Sequence, residues 1–179
     1  MKSWIIALAA LGAGGPAAAQ QHQHQHSPYM GLENRQIKAL SDSQVQQLRD
    51  GEGMSLALAA ELNHYPGPRH VLDMATQLDL TTKQEKEVQA LVDAHRPKAQ
   101  ELGAAIIAKE RELDQAFARH TITEPRLREM TREIARMEGD LRYLHLAAHL
   151  ELRKVLTDQQ IKKYDQIRGY SRSASPARP

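Results

Sequence analysis

Two long stretches of this chain repeat apolar residues at alternating intervals of three and four, and that spacing leaves few folds open. The first stripe is Val88, Val92, (His95), Ala99, Leu102, Ile106, Leu113 and Phe117. The second is Leu127, Met130, Ile134, Met137, Leu141, Leu144, Ala148, Leu152 and Val155. Such intervals place every member of a stripe on one face of an α-helix. Between the stripes lies Thr121-Ile122-Thr123-Glu124-Pro125, with Thr123 placed to cap the second helix and Pro125 in its first turn. Two helices joined by so short a turn fold back as an antiparallel hairpin. The first, from Thr82 to about Arg119, spans on the order of 55 Å. Pro97 inside it predicts a kink or curve. So long and thin a hairpin has one narrow seam, so short flanking helices or a second chain must cover it. We expect an all-α protomer that forms a homodimer.

Composition narrows the class further. Aromatic residues are 4% of the 179 and cysteine is absent. A β-sandwich or a nucleotide-binding α/β fold needs more aromatic and β-branched residues. Disulfide scaffolds, cysteine zinc sites and thiol chemistry need cysteine. The formal charge is +2, but Lys2, Arg172 and Arg178 sit at the ends, so residues 20–170 carry −1. No nucleic-acid surface is expected from that balance.

The ends read as an address and a tail. Lys2 precedes the short apolar run Trp4–Leu11, and Ala17-Ala18-Ala19 supplies a small-residue cleavage site. Residues 1–19 are therefore expected to be a Sec-type signal peptide, cleaved after Ala19. The run is too short to span a bilayer, so the mature protein is expected to be periplasmic with no membrane span. Residues 20–36 read as a disordered arm rich in His and Gln. His22, His24 and His26 alternate there, and the tract is either a weak binder of Cu(II), Ni(II) or Zn(II) or a spacer. Residues 171–179 hold Ser, Pro and Arg without an apolar anchor and are expected to be disordered.

Residues 37–170 are expected to form the helical domain. A short helix is predicted within 37–50, capped by Ser41 or Ser43 and broken by Gly51 and Gly53. A second is predicted over Met54–Leu62. Asn63-His64-Tyr65-Pro66-Gly67-Pro68 is a turn, with Pro68 starting a helix that runs to about Leu78. Leu80-Thr81-Thr82-Lys83-Gln84 and Leu156-Thr157-Asp158-Gln159-Gln160 share one form. In each, T-x-x-Q is a capping box: Thr81 or Thr157 accepts from the N3 amide, and Gln84 or Gln160 reaches back to the N-cap amide. These four residues are structural caps.

In an antiparallel hairpin, facing residues have a constant index sum. One register pairs Leu113 with Met130, Ile106 with Met137, Leu102 with Leu141, Ala99 with Leu144 and Val88 with Val155, every pair apolar. The same register sets His95 against Ala148, with His145 and His149 close by on the facing helix. Three imidazoles from two helices suit Zn(II), Cu(II) or Ni(II), with Glu151 or Glu87 able to complete the shell. Alternatively the three flank the seam as hydrogen-bonding or solvent-facing residues. His64 and His70 flank the proline turn and read as surface residues. Met54, Met74, Met130 and Met137 sit at helix-face spacing and read as core. Arg126, Arg128, Arg132 and Arg136 alternate with acids, as on a solvated face. The sequence contains no G-x-S-x-G, P-loop, H-E-x-x-H or dinucleotide fingerprint, so no catalytic residue is nominated and no cofactor is required.

Twin L-T-x-x-Q motifs at 80–84 and 156–160, on a cysteine-free chain behind a signal peptide, resemble the LTxxQ family over about residues 68–170. That family includes Spy/CpxP-type periplasmic chaperones and the CnrX- and ZraP-like heavy-metal sensors. The resemblance implies a four-helix protomer that dimerises through antiparallel hairpins into a curved cradle. It also implies ATP-independent binding of unfolded envelope proteins, restraint of a sensor or anti-sigma protein, or metal sensing. Ala148 and Leu152 stand where the CnrX-like pattern has His and Met four apart, with His149 one position along. The first expectation is thus an envelope stress-response chaperone. The alternative is a metal-binding or metal-sensing module using the helical histidines.

Overall fold

The structure, a computed structural model, describes residues 27–171; the segment 1–26, with the expected signal peptide and His22, His24 and His26, and the tail 172–179 lie outside the described residues. Residues up to Met30 form a unit of their own, of which one turn is described, closed by the Met30 amide on the Ser27 carbonyl at 3.0 Å. The second unit begins at Gly31, and its regular elements among the described residues are all helices. After a 3-10 turn at Leu32–Asn34 come α1 (Asp42–Asp50), α2 (Leu58–Glu61), α3 (Pro68–Asp73), α4 (Thr82–Ala118), α5 (Glu124–Val155) and α6 (Asp158–Arg168). Four of these, α1, α4, α5 and α6, have nine residues or more.

Helix starts follow the capping chemistry of the sequence. Ser41, Thr81 and Thr157 each accept from an amide three residues on, and Gln44, Gln84 and Gln160 return to the cap amide. The box at Ser41 is a third copy of the device and decides between the two predicted caps of α1. Thr123 takes the N-cap position of α5 with Pro125 in its first turn, but its hydroxyl makes no capping bond. Gly51 ends α1 in the left-handed region at φ 67, a conformation that costs glycine little.

Two other helix ends use non-glycine residues. Beyond α4, His120 sits at φ 55 and the Thr121 amide returns to the Ala116 carbonyl at 2.9 Å. Asp79 adopts φ 50 while the Leu80 amide returns to the Ala75 carbonyl at 3.1 Å. Both are left-handed closures of the kind glycine usually supplies. The second lies in a series of turns after Asp73, so α3 stops five residues before the predicted Leu78. Helix α2 is likewise shorter than the predicted 54–62, since Met54 and Ser55 have positive φ. Helix α4 runs on through Pro97, whose ring forgoes one intrahelical bond.

The hairpin holds as two separate apolar cores. One gathers Ile37, Leu48, Ala99, Ile106, Ile107, Ile134, Met137 and Leu141. The other gathers Val71, Leu78, Val88, Leu152, Leu156, Ile161 and Tyr164. Met130 and Met137 are buried, and Met54 and Met74 pack at the core edges, as their spacing predicted. Phe117 is a correction: it is exposed, and its neighbour Ala116 is buried instead. The seam has rotated by one residue at the end of α4, where the closure at His120 sets the direction of the chain.

The two T-x-x-Q boxes are also bonded to each other. The Gln84 amide nitrogen donates to Gln160 Oε1 at 2.9 Å and the Gln160 nitrogen to Gln84 Oε1 at 3.1 Å. Gln84 further donates to the Val155 carbonyl at 2.9 Å, at the end of α5. Each Gln oxygen thus caps its own helix while its NH2 group ties the start of α4 to the start of α6. At the other core, α1 lies on α4 at Gly103, where an added Cβ would stand 2.1 Å from the Leu48 carbonyl oxygen.

Candidate metal centre

The interval between the two cores is where the histidines fall. On α4, His95 lies between Val88 of one core and Ala99 of the other. On α5, His145 and His149 lie between Leu141 and Leu152. Seam positions of a helical pair ordinarily hold apolar side chains; here three of them are imidazoles. The His95 and His145 ring centroids are 4.6 Å apart, tilted by 53°. His95 thus meets His145 as the antiparallel register predicted, and Ala148 lines the same space.

Burial makes these rings unusual. His145 is 5% exposed and His149 9%. The Nε2 atoms of His95 and His145 are buried and have no hydrogen-bond partner among the described residues. A buried polar atom left unpaired costs about 1–3 kcal/mol. His149 is held differently: its Nδ1–H donates to the Tyr65 carbonyl at 2.7 Å. A carbonyl can only accept, so Nδ1 carries a proton and Nε2 is the nitrogen turned away from this bond. The carboxylate of Glu61 lies behind the same nitrogen at 3.8 Å. An imidazole pinned through one nitrogen by an oxygen acceptor is the usual outer arrangement of a metal-binding histidine.

Glu61 anchors a buried polar cluster. It accepts from the Tyr164 hydroxyl and from the Gly67 amide, the latter at 3.1 Å. Burial and the adjacent Glu61 raise the Tyr164 hydroxyl well above the usual tyrosine range, so it stays a neutral donor. His64 meets Asp165 at 2.7 Å with its ring largely exposed, consistent with a surface residue beside the turn. The turn 63–67 is therefore fastened to α5 by His149 and to α6 by Asp165, while Tyr164 of α6 holds Glu61, which accepts from the Gly67 amide. Pro66 and Gly67 are buried against this frame.

His95, His145, Gly67 and His149 line one cavity of about 640 Å³, together with Asp50 of α1 and His70 of α3. Burial, followed by the neighbouring His95 and His149, pushes His145 down to about 4, and burial, then His149, lowers His95. Both rings are therefore neutral at pH 7, the form that donates a lone pair to a metal. Among the described residues no three His, Asp or Glu side chains are already gathered around a single point as ligands. The rings would have to turn about their side-chain torsions to converge. Glu151 and Glu87, offered as completing ligands, instead pair with Lys154 at 2.7 Å and Lys83 at 3.8 Å, away from the cavity. Arg126, Arg128 and Arg136 pair with Glu112, Glu124 and Asp140, as on a solvated face.

The fold and site together define an all-α protein built on a long hairpin, clasped at one end by paired T-x-x-Q caps, with a histidine-lined cavity between two apolar cores. The chain belongs to the LTXXQ motif family, whose model matches residues 67–168, more than half of its length. No curated protein and no solved structure matches it. Among the described residues no helix is long and apolar enough to cross a membrane.

Proposed function

We propose that this chain is an exported metal-binding member of its family, holding Zn(II), Cu(II) or Ni(II) through His95, His145 and His149. The observation that carries this reading is the pair of buried, unpartnered Nε2 atoms beside a third imidazole pinned through Nδ1 to the Tyr65 carbonyl. The donor set is all nitrogen, which suits late first-row divalent ions and not Mg(II) or Ca(II). Export rests on the leader-like residues 1–19, and the mature chain would begin at Gln20. The arm His22, His24 and His26 would add a weaker, separate site. The test is calorimetric titration of the three ions into wild type and a His145→Ala/His149→Ala double variant. Loss of the tightest site in the variant is expected; unchanged binding overturns the helical site. Affinity that persists only while His22–His26 are present would assign metal to the arm.

A second reading, an ATP-independent chaperone for unfolded envelope proteins, is supported by a different observation. Leu58 and Leu62, at α2, and Tyr143 and Leu150, on α5, are exposed although α2 packs on α5. Most of the α5 seam, in contrast, is buried, so a client would meet these outer residues and not the seam. A Leu58→Ser/Leu62→Ser variant should lose suppression of client aggregation measured without ATP. No suppression by wild type at stoichiometric excess would remove this reading. Homodimer formation, or restraint of a sensor or anti-sigma protein, would use the same kind of surface.

A further inference from the structure

The proposed ligands leave one imidazole at the cavity without an assignment. His70 lies on α3, the short helix that packs against both α4 and α5, and it lines the same cavity as His95, His145 and His149. Its ring is exposed and makes no side-chain hydrogen bond among the described residues. The residue that relates it to His149 is Gly67. A Cβ built on Gly67 would lie 3.1 Å from His149 Cε1, 3.4 Å from His149 Nε2 and 3.5 Å from His70 Cδ2. The two rings therefore flank one point, and only the missing side chain of Gly67 keeps that point clear. Gly67 has φ −83 and ψ 137, which any residue adopts, so its lack of a side chain matters here for space and not for backbone conformation.

We propose that His70 is a fourth metal ligand, closing a four-imidazole set drawn from α3, α4 and α5, and that Gly67 keeps open the approach between His70 and His149. This rests on the metal-binding reading above. Three of the nitrogens are presented by the hairpin seam, two of them buried and unpartnered. The fourth comes from the rim on a ring free to turn inward. Such a set favours Cu(II) over Zn(II), because affinity for nitrogen donors rises to copper and falls again at zinc. It also ties α3 to both long helices, so a bound ion would fasten the turn 63–67 from a third side.

The test uses the full chain carrying His22→Ala, His24→Ala and His26→Ala, so that the arm does not mask the cavity. Cu(II) is titrated by calorimetry, and the bound ion is read by electron paramagnetic resonance, which counts coordinating nitrogens. Loss of an outer-shell partner already weakens metal binding by about 10–100-fold, so His70→Ala should weaken it at least that much. Its spectrum should lose one nitrogen. Gly67→Ala, with His70 intact and helicity by circular dichroism unchanged, should also weaken Cu(II), because its methyl group stands between the rings. Unchanged affinity and nitrogen count in His70→Ala, with binding lost in His145→Ala/His149→Ala, would overturn the fourth ligand and leave the three-histidine site standing. Cu(II) binding equal in wild type and both His variants would overturn the site itself.

Discussion

Replacing Gly103 by Ala sets two physical effects of opposite sign against each other. Gly103 is in the interior of α4, where alanine is intrinsically better than glycine by about 0.8–1.0 kcal/mol. From helix propensity alone the variant should be more stable. The packing says otherwise. The new Cβ would stand 2.1 Å from the Leu48 carbonyl oxygen, 2.7 Å from its carbon and 3.2 Å from its Cα, well inside the roughly 3.5–4.0 Å of a favourable contact. All three are backbone atoms of α1, so no rotamer change relieves the overlap and the helix itself must move outward. That movement pulls Leu48 away from Ala99, Ile106 and Ile107 in the core they share. Overpacking costs about 1–3 kcal/mol and occasionally more. With a rigid neighbour we take the upper end, which leaves a net loss of about 2 kcal/mol after the propensity gain. For a domain of this size that is a fall in Tm of about 4–8 °C. Gly139 is the control: it lies inside α5 and its Cβ would meet nothing within 4 Å. Gly139→Ala should therefore gain about 1 kcal/mol. Denaturant unfolding followed by circular dichroism measures both. Gly103→Ala as stable as wild type, or more stable, would refute the close approach of α1 to α4 and with it the floor of the cavity near Asp50.

Three further outcomes are expected. His145 is held at about 4 against 6.5 for the free side chain, so below 6.5 the unfolded chain binds the proton more readily; the metal-free protein should lose about 3 kcal/mol as pH falls from 6.5 to 4. His145→Leu should remove most of that slope in urea titrations at several pH values. A double-mutant cycle on Gln84→Ala and Gln160→Ala should give a coupling of about 1 kcal/mol, because either single change breaks the reciprocal bonds between them; additive effects would mean that the clasp does not form. Tyr164→Phe leaves the buried Glu61 one donor short and should cost about 1–3 kcal/mol in chemical unfolding, while an unchanged midpoint would show that the Gly67 amide and Arg168, whose Nε lies 3.6 Å from Glu61, hold it without the hydroxyl.

The long elements were legible because their signals are redundant. Val88 to Leu113 and Leu127 to Val155 carry the helical period over many turns, and Thr81, Gln84, Thr157 and Gln160 mark the starts by side-chain chemistry that acts within four residues. The ends were less legible where a non-glycine residue takes the left-handed conformation. His120 and Asp79 close α4 and the turns after α3, and neither residue type announces that role. The mutual bonds of Gln84 and Gln160 join positions 76 residues apart, beyond any local pattern. The convergence of His95 with His145 followed from the antiparallel register. The places of His70 at the cavity and of Glu61 behind His149 did not, because both residues come from outside the hairpin. The signal that bears on them is Gly67 between two prolines: a turn so constrained is placed by what it packs against, and here that is His149.

A hairpin seam of this length is stabilised by continuous apolar contact, and among the described residues His95, His145 and His149 interrupt it. Leu141 and Ala99 close the core on one side of the gap, and Val88 and Leu152 close it on the other. Two buried nitrogens without partners cost the metal-free fold several kcal/mol together, a substantial part of the roughly 5–15 kcal/mol by which a domain is stable. Leucine at either position would avoid that cost and continue the stripe. The fold tolerates the gap because each core is anchored separately, one by the Gln84–Gln160 clasp and the other by α1 seated on Gly103. Local opening of the cavity therefore need not propagate along the hairpin, and a ligand that satisfies the imidazoles would stabilise the folded chain by the binding energy it contributes there.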